Sequence, residues 1–247
     1  MFDKEKLIFQ SYVSNFDTTN NNIKRKLEHS YRVADLSNQL AIKLNLSEEE
    51  IKIAYLIGLL HDIGRFYQIE KTNSFIDDKL DHSDYGVLYL FDEGHIRDYI
   101  EDDKYDQIIR KAILFHNDYK LPDNLTKKEE LFCKIIRDID KIDIYKAHYD
   151  YSECFNNIFD YSEVSEDVIN DFYNNKPILI NKIKTTSDNI IKILAFIFDI
   201  NFKESYELLE ETNNFNKWLE TVKIKKGTKE WKKIIDNCNM IIKNRGR

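Results

Sequence analysis

Apolar residues recur every three or four positions through almost the whole chain, the spacing that lays one stripe along an α-helix. Leu7, Ile8 and Tyr12 mark a first helix. A second is expected from about Asn20 to Leu44, with Val33, Leu36 and Leu40 on its stripe. Ser47-Glu-Glu-Glu50 has the form of a capping box, with Ser47 at the N-cap and Glu50 three residues on. It opens a third helix whose apolar line is Ile53, Ile57 and Leu60, and which should end near Gly64. The stretch from Arg65 to Asp81 is polar and aperiodic and reads as a loop. Further helices are expected from around Asp81–Ser83 to Gly94 and over roughly Lys104–His116. After a break at Pro122, a second capping box, Thr126-Lys-Lys-Glu129, starts a long helix through Ile135, Ile136, Ile139 and Ile142. Beyond Tyr149, helical segments are expected near Glu166–Tyr173, Asn189–Ile200, Lys203–Glu211 and Thr228–Lys243. The fold class is therefore all-α. No Gly-, Pro- or Ser-rich linker and no internal repeat interrupts it. A single helical domain over 1–247 is expected, with residues after about 150 packed as accessory helices.

Composition agrees with that pattern. In 247 residues, 42% hydrophobic, there are only six glycines and two prolines, too few for a sheet protein with many turns. The net charge of −7 offers no general footprint for a polymeric nucleic acid. The densest basic run, Lys223-Ile-Lys-Lys-Gly followed by Lys229, Lys232 and Lys233, reads as a solvated helix face. Cys133, Cys154 and Cys238 form no CxxC, which argues against a disulfide framework or a cysteine zinc site. Free thiols suit a reducing cytoplasm. The opening Met-Phe-Asp-Lys-Glu-Lys-Leu lacks the apolar stretch of a signal peptide. The most apolar segments, Ala54–Leu60 and Ile190–Ile200, are too short to span a bilayer. A cytoplasmic protein with no membrane partner is expected.

The histidines change the picture. Five of the six precede Lys120, and four of those lie on apolar helix faces. His29 is one turn before Val33, His61 four residues after Ile57. His116 follows Ile109, Ala112 and Ile113 at helical spacing, and His82 aligns with Tyr85, Gly86 and Tyr89. One inward histidine is usually a hydrogen-bonded core residue. Four leave many polar atoms to satisfy, and a shared metal satisfies them together. In His61-Asp62, two adjacent residues near a helix end can face one cation, and the carboxylate has two oxygens with which to bridge a pair. Arg65 follows closely, and a guanidinium beside a metal site suits a phosphate. In Arg137-Asp-Ile-Asp140-Lys141-Ile-Asp143, Asp138 faces away from the apolar stripe and reads as solvated. Periodicity alone does not choose between Asp140 and Asp143. His95 and His148 lack motif context and read as surface or structural.

The order His29 … His61-Asp62 … Asp140 resembles the HD superfamily of metal-dependent phosphohydrolases. Leu-Leu-His-Asp-Ile-Gly-Arg, residues 59–65, is similar to its central motif. Residues 137–143 are similar to its last, in which the aspartate before the lysine is the ligand. The resemblance covers roughly residues 20–150. It selects Asp140 and leaves Asp143 as an outer partner. His82, in Asp-His-Ser-Asp-Tyr-Gly, and His116, in Leu-Phe-His-Asn-Asp, stand where many members add two histidines. No Gly-Tyr-Pro follows His116, a departure from the cyclic-di-GMP phosphodiesterase branch. No synthetase, nucleic-acid-binding or sensory domain is read in these 247 residues, so the ppGpp synthetase/hydrolase architecture is not expected.

The resemblance implies one or two divalent transition metals, Mn, Fe, Co, Ni or Zn, on His29, His61, Asp62 and Asp140, with Asp62, His82 and His116 on the second. It implies hydrolysis of a small phosphate ester, nucleotide-type, by metal-activated water. Asp62 would be the bridge, and Arg65, Arg32 or Lys141 the cation that stabilises the phosphoryl charge. A di-iron oxygenase on the same ligands, or a metal- or nucleotide-binding module without turnover, are the other readings.

Overall fold

The computed structural model describes residues 2–75, 77 and 80–246. The chain is all-helical but for two short strands, and it divides into two compact units, Met1–Asp140 and Lys141–Arg247. That division falls inside the long helix entered at Thr126, about ten residues before the end expected for the chemistry-bearing part.

The first unit comprises α1 (Asp3–Val13), α2 (Asn21–Lys43), α3 (Glu48–Leu60), α4 (Ile63–Thr72), α5 (His82–Val87), α6 (Ile96–Tyr99), α7 (Asp106–Leu114) and the first half of α8 (Lys127–Asp150). The capping boxes do what their spacing predicts. Glu50 accepts from the Ser47 backbone N–H at 3.0 Å and Glu129 from that of Thr126 at 2.8 Å. Asn20 caps α2 through the Asn22 N–H at 2.8 Å. The most extensive packing is α2 against α3, and α4 lies on α5. Gly58 makes the first of these possible: a Cβ there would stand 2.8 Å from the Ala34 Cα and the Val33 carbonyl. Phe9, Tyr12, Phe66, Val33, Leu40, Ile57 and Leu60 fill the core.

Two expectations fail between residues 60 and 81. The segment after Gly64 is a helix, not a loop, and α3 ends earlier, at Leu60. Phe66 and Ile69 supply a buried stripe, while the polar residues that hid it, Arg65 and Gln68, are turned to partners within the protein. Gly64 is therefore no helix stop. A Cβ on it would lie 2.0 Å from the His82 carbonyl oxygen, so it lets α4 and α5 touch backbone to backbone. Residues 76, 78 and 79 of the expected loop lie outside the described residues. Past α5 the chain continues as a wider π-helical turn, Leu88–Asp92.

The second unit holds the rest of α8, then β1 (Ile158–Asp160), α9 (Glu166–Tyr173), α10 (Thr186–Leu194), α11 (Lys203–Thr212), α12 (Asn214–Leu219), β2 (Lys223–Lys226) and α13 (Thr228–Arg245). Trp218, Tyr145, Phe159 and Phe172 are its large buried side chains, and the Tyr145 hydroxyl donates to the Ile193 carbonyl at 3.1 Å. β1 and β2 pair in parallel, Ile158 opposite Lys223 and Phe159 opposite Ile224. The start of the lysine run is thus an edge of sheet rather than a helix face. Its backbone is held by the Asn157 carbonyl, which accepts from the Lys223 N–H at 2.8 Å.

Candidate metal centre

Close packing at Gly58 and the one-turn spacing Gly58–His61 and His29–Val33 bring two imidazoles together, Nε2 to Nε2, at 3.3 Å. Asp140 comes from α8, its Oδ1 3.1 Å from His29 Nε2 and 3.7 Å from His61 Nε2. A second pair forms where α5 starts and α7 ends: His82 and His116 stand Nε2 to Nε2 at 3.1 Å. Asp62 lies between the pairs and divides its two oxygens. Oδ2 faces His61 at 3.4 Å and His29 at 3.6 Å, while Oδ1 faces His82 at 3.2 Å and His116 at 3.7 Å. All four histidines and Asp62 are buried.

The outward nitrogens fix the rings. His61 Nδ1 donates to the Gly58 carbonyl at 2.8 Å and His116 Nδ1 to the Ile113 carbonyl at 2.7 Å. His82 Nδ1 donates to Asp77 Oδ1 at 2.8 Å. With Nδ1 protonated, each ring offers a lone pair at Nε2 when it is neutral. In that neutral tautomer His82 and His116 would aim two acceptors at one another in a buried place, which a proton or a metal ion between them relieves. The separations suit one. Ligands ~2.1 Å from a common ion stand ~3.0–3.4 Å apart at angles between square and tetrahedral. The donor set, imidazole and carboxylate without thiolate, fits a first-row divalent metal. Among the described residues three groups could hold one: His29, His61 and Asp140; His61, Asp62 and His116, which shares His61 with the first; and Asp77, Asp81 and His82, which shares no residue with either.

The electrostatics point the same way. Burial opposes ionisation of Asp62, yet the Lys26 ammonium, His61 and hydrogen bonds from His116 and His61 hold its carboxyl well below the usual carboxylate range. Burial also opposes ionisation of Asp140, which His29 and His61 hold well below that range. His61 answers them: burial disfavours its charge, but Asp62 and Asp140 push it up to about 9. His116 goes the other way, pushed down to about 4 by burial and by the like charge of His82 and His61, against its hydrogen bond to Asp62. The carboxylates draw positive charge onto His61, while His116 stays neutral.

The expected cations have other partners. The Arg65 guanidinium forks onto Asp77, NH1 to Oδ1 at 2.9 Å and NH2 to Oδ2 at 3.1 Å. NH1 also donates to Gln68 Oε1 at 2.6 Å and the Phe75 carbonyl at 2.9 Å, and Nε stands 3.5 Å from Asp62 Oδ1. Arg32 lies 3.9 Å from Glu28, one turn back on α2. Lys141 pairs with Asp199 at 3.0 Å. Asp138, expected in solvent, is fully buried, because residues 135–139 are all buried and α8 is enclosed on every side at that turn. His95 is half-buried and stacks on Tyr89, and His148 stacks on Phe155.

Three residues at the centre escaped the sequence reading. Asp77 holds His82 and is itself held by Arg65 and Gln68, whose Nε2 donates to it at 2.7 Å. Arg137, buried on α8, donates to the carbonyls of Phe115 at 3.1 Å, His116 at 3.3 Å and Asp118, which locks the end of α7. Lys26 reaches Asp62 Oδ2 with its ammonium. Only Lys26 left a signal, one turn before His29 on the same stripe.

Among protein-family models, the one described as HD domain matches residues 27–145. No curated protein and no solved structure matches the chain.

Proposed function

We propose, from the HD-domain match over residues 27–145, that this chain is a metal-dependent phosphohydrolase of small, nucleotide-type phosphate esters. In this reading His29, His61, Asp62 and Asp140 would hold one divalent metal, and Asp62, His82 and His116 would hold a second. The observation that carries the reading is Asp62 itself, whose two oxygens are divided between two histidine pairs. A single-metal or purely structural aspartate has no need of that division.

Metal held there would lower the pKa of water and polarise phosphoryl oxygens. The chain's own residues supply the rest. The Gly58 and Ile113 carbonyls and Asp77 keep the Nε2 lone pairs of His61, His116 and His82 turned inward. Arg65 maintains Asp77 in that task, a positioning role in place of the phosphate contact expected of it. Asp140, the more exposed carboxylate, borders the open side.

The test is to strip the full chain of metal, reload it separately with Mn, Co, Ni, Zn and Fe, and count bound ions. Each form is then assayed on a panel of phosphate mono- and diesters, nucleoside monophosphates included, with and without oxygen. Release of phosphate or a phosphomonoester without oxygen, and with a redox-inert metal, is expected. Turnover that strictly needs iron and oxygen would overturn the reading in favour of an oxygenase. Bound metal with no turnover would reduce the centre to a binding module.

A further inference from the structure

We propose that Lys26 is the catalytic cation of this centre, the group that grips the phosphoryl oxygens of the substrate. The proposal rests on the phosphohydrolase reading above. Hydrolysis of a phosphate ester builds negative charge on the non-bridging oxygens, and a fixed cation beside the metals is the usual counterweight. Arg65 commits NH1 to Asp77, Gln68 and the Phe75 carbonyl and NH2 to Asp77, and its Nε, which makes no hydrogen bond, is buried beside Asp62 Oδ1 rather than turned to solvent. Arg32 and Lys141 sit against Glu28 and Asp199.

Lys26 differs. It stands one turn before His29 on α2, so its side chain runs along the same face toward the cluster. Its ammonium touches Asp62 Oδ2, the oxygen shared with His29 and His61. An ammonium has three N–H donors. Asp62 is its one hydrogen-bond partner among the described residues, and its two other donors have none among them. The Phe75 ring, centred 5.8 Å from Nζ, flanks the ammonium without taking a hydrogen bond and limits its swing. Exposure decides the direction those donors face. Asp62 is 3% exposed and His61 fully buried, whereas the side chains of Lys26 and Asp140 are 20% and 21% exposed. These two mark the mouth through which a phosphate would arrive, and Lys26 is the positive one. It takes part in no covalent step.

The test uses the full chain loaded with Mn(II), its metal content counted, and inorganic orthophosphate as the probe. Phosphate in contact with bound Mn(II) is read by the broadening of its phosphorus NMR line and by its dissociation constant. In Lys26→Met the metal content should hold. The phosphate constant should rise about tenfold or more, as expected for loss of charge-assisted hydrogen bonds. Where an ester is turned over, kcat/KM should fall about 10²–10³-fold. Lys26→Arg, which restores charge and donors, should recover part of both. Equal phosphate affinity in Lys26→Met and the unaltered chain overturns the assignment while leaving the phosphohydrolase reading intact. Loss of metal from Lys26→Met together with phosphate also overturns it, because Lys26 would then be positioning Asp62. An unaltered, metal-loaded chain that binds no phosphate would refute the phosphohydrolase reading and this assignment together.

Discussion

Both units of this chain bury carboxylates, and they treat them in opposite ways. In the second unit Asp188, at the start of α10, accepts from the backbone N–H groups of Ser165 at 2.7 Å, Lys184 at 3.0 Å and Thr185 at 3.2 Å. The Ser165 hydroxyl adds a fourth bond at 2.8 Å. Asp160, also buried, accepts from the Ser162 N–H and hydroxyl and pairs with Lys225. Those charges are answered by donors that cannot leave. In the first unit Asp62 accepts from the Lys26 ammonium, but no backbone N–H caps its side chain, and its two oxygens and Asp140 face imidazole nitrogens. Burial of an acid is therefore no sign of function by itself. What separates the two is whether the charge is answered by fixed backbone and hydroxyl donors or by imidazoles able to share it with a metal.

That contrast can be broken by mutation. The largest effect should come from Asp62→Asn, which preserves shape and removes charge. Turnover should be abolished and bound metal depleted, with the ion facing His82 and His116 lost first. The far-ultraviolet spectrum should stay helical, since the apolar lines through Leu36, Ile57 and Ile139 are untouched. Full metal retention would equate Asp62 with Asp188. Asp77→Asn should follow, costing about 10–100-fold in metal affinity or rate, as outer partners of ligating histidines do. Metal titration checks it, and an unchanged affinity would show that His82 needs no anchor. Asp143→Asn should stay within a similar span. If it strips the metal while Asp140→Asn keeps it, the ligand on α8 has been misassigned.

Asp188→Asn should do the converse: bound metal unchanged, unfolding free energy lower by roughly 1–3 kcal/mol through lost charge-assisted bonds. A metal-deficient Asp188→Asn protein would undo the comparison. The smallest effect belongs to the surface cap. Glu50 is held at about 2 by Lys128 and by the Ser47 backbone and hydroxyl. A carboxyl depressed in the folded state adds stability above its unfolded value and loses it as pH falls from about 4.5 toward 2. Because Lys128 is 46% exposed, solvent screens the pair, and Glu50→Gln should cost less than about 1 kcal/mol at neutral pH. The difference should vanish in melts near pH 2, and a cost that persisted there would place the effect in packing.

The helices were legible wherever a cap and a one-sided stripe coincided, as at Ser47 and Thr126. The inward set of four histidines was legible too, because an imidazole on an apolar stripe has nowhere else to point. What periodicity misread were polar residues with internal partners. Arg65 and Gln68 made α4 look like a loop, and Asp138 looked solvated on a turn buried all round. Asp77 and Arg137 were invisible because their roles depend on contacts with residues on other elements, His82 and the end of α7. β1 and β2 are three and four residues long, shorter than any alternation can announce.

The interruption between α3 and α4 has a consequence beyond aiming two side chains. His61 closes α3 and Asp62 opens α4, so the imidazole sits at the negative end of one helix dipole and the carboxylate at the positive end of the next. Each is in the field that favours its own sign, by about 0.3–1 kcal/mol per terminus and more where water is excluded. An unbroken helix through these residues would erase both fields and turn the adjacent side chains ~100° apart. Two neutral stretches of backbone thus sort the charges of the dipeptide before any ion reaches it.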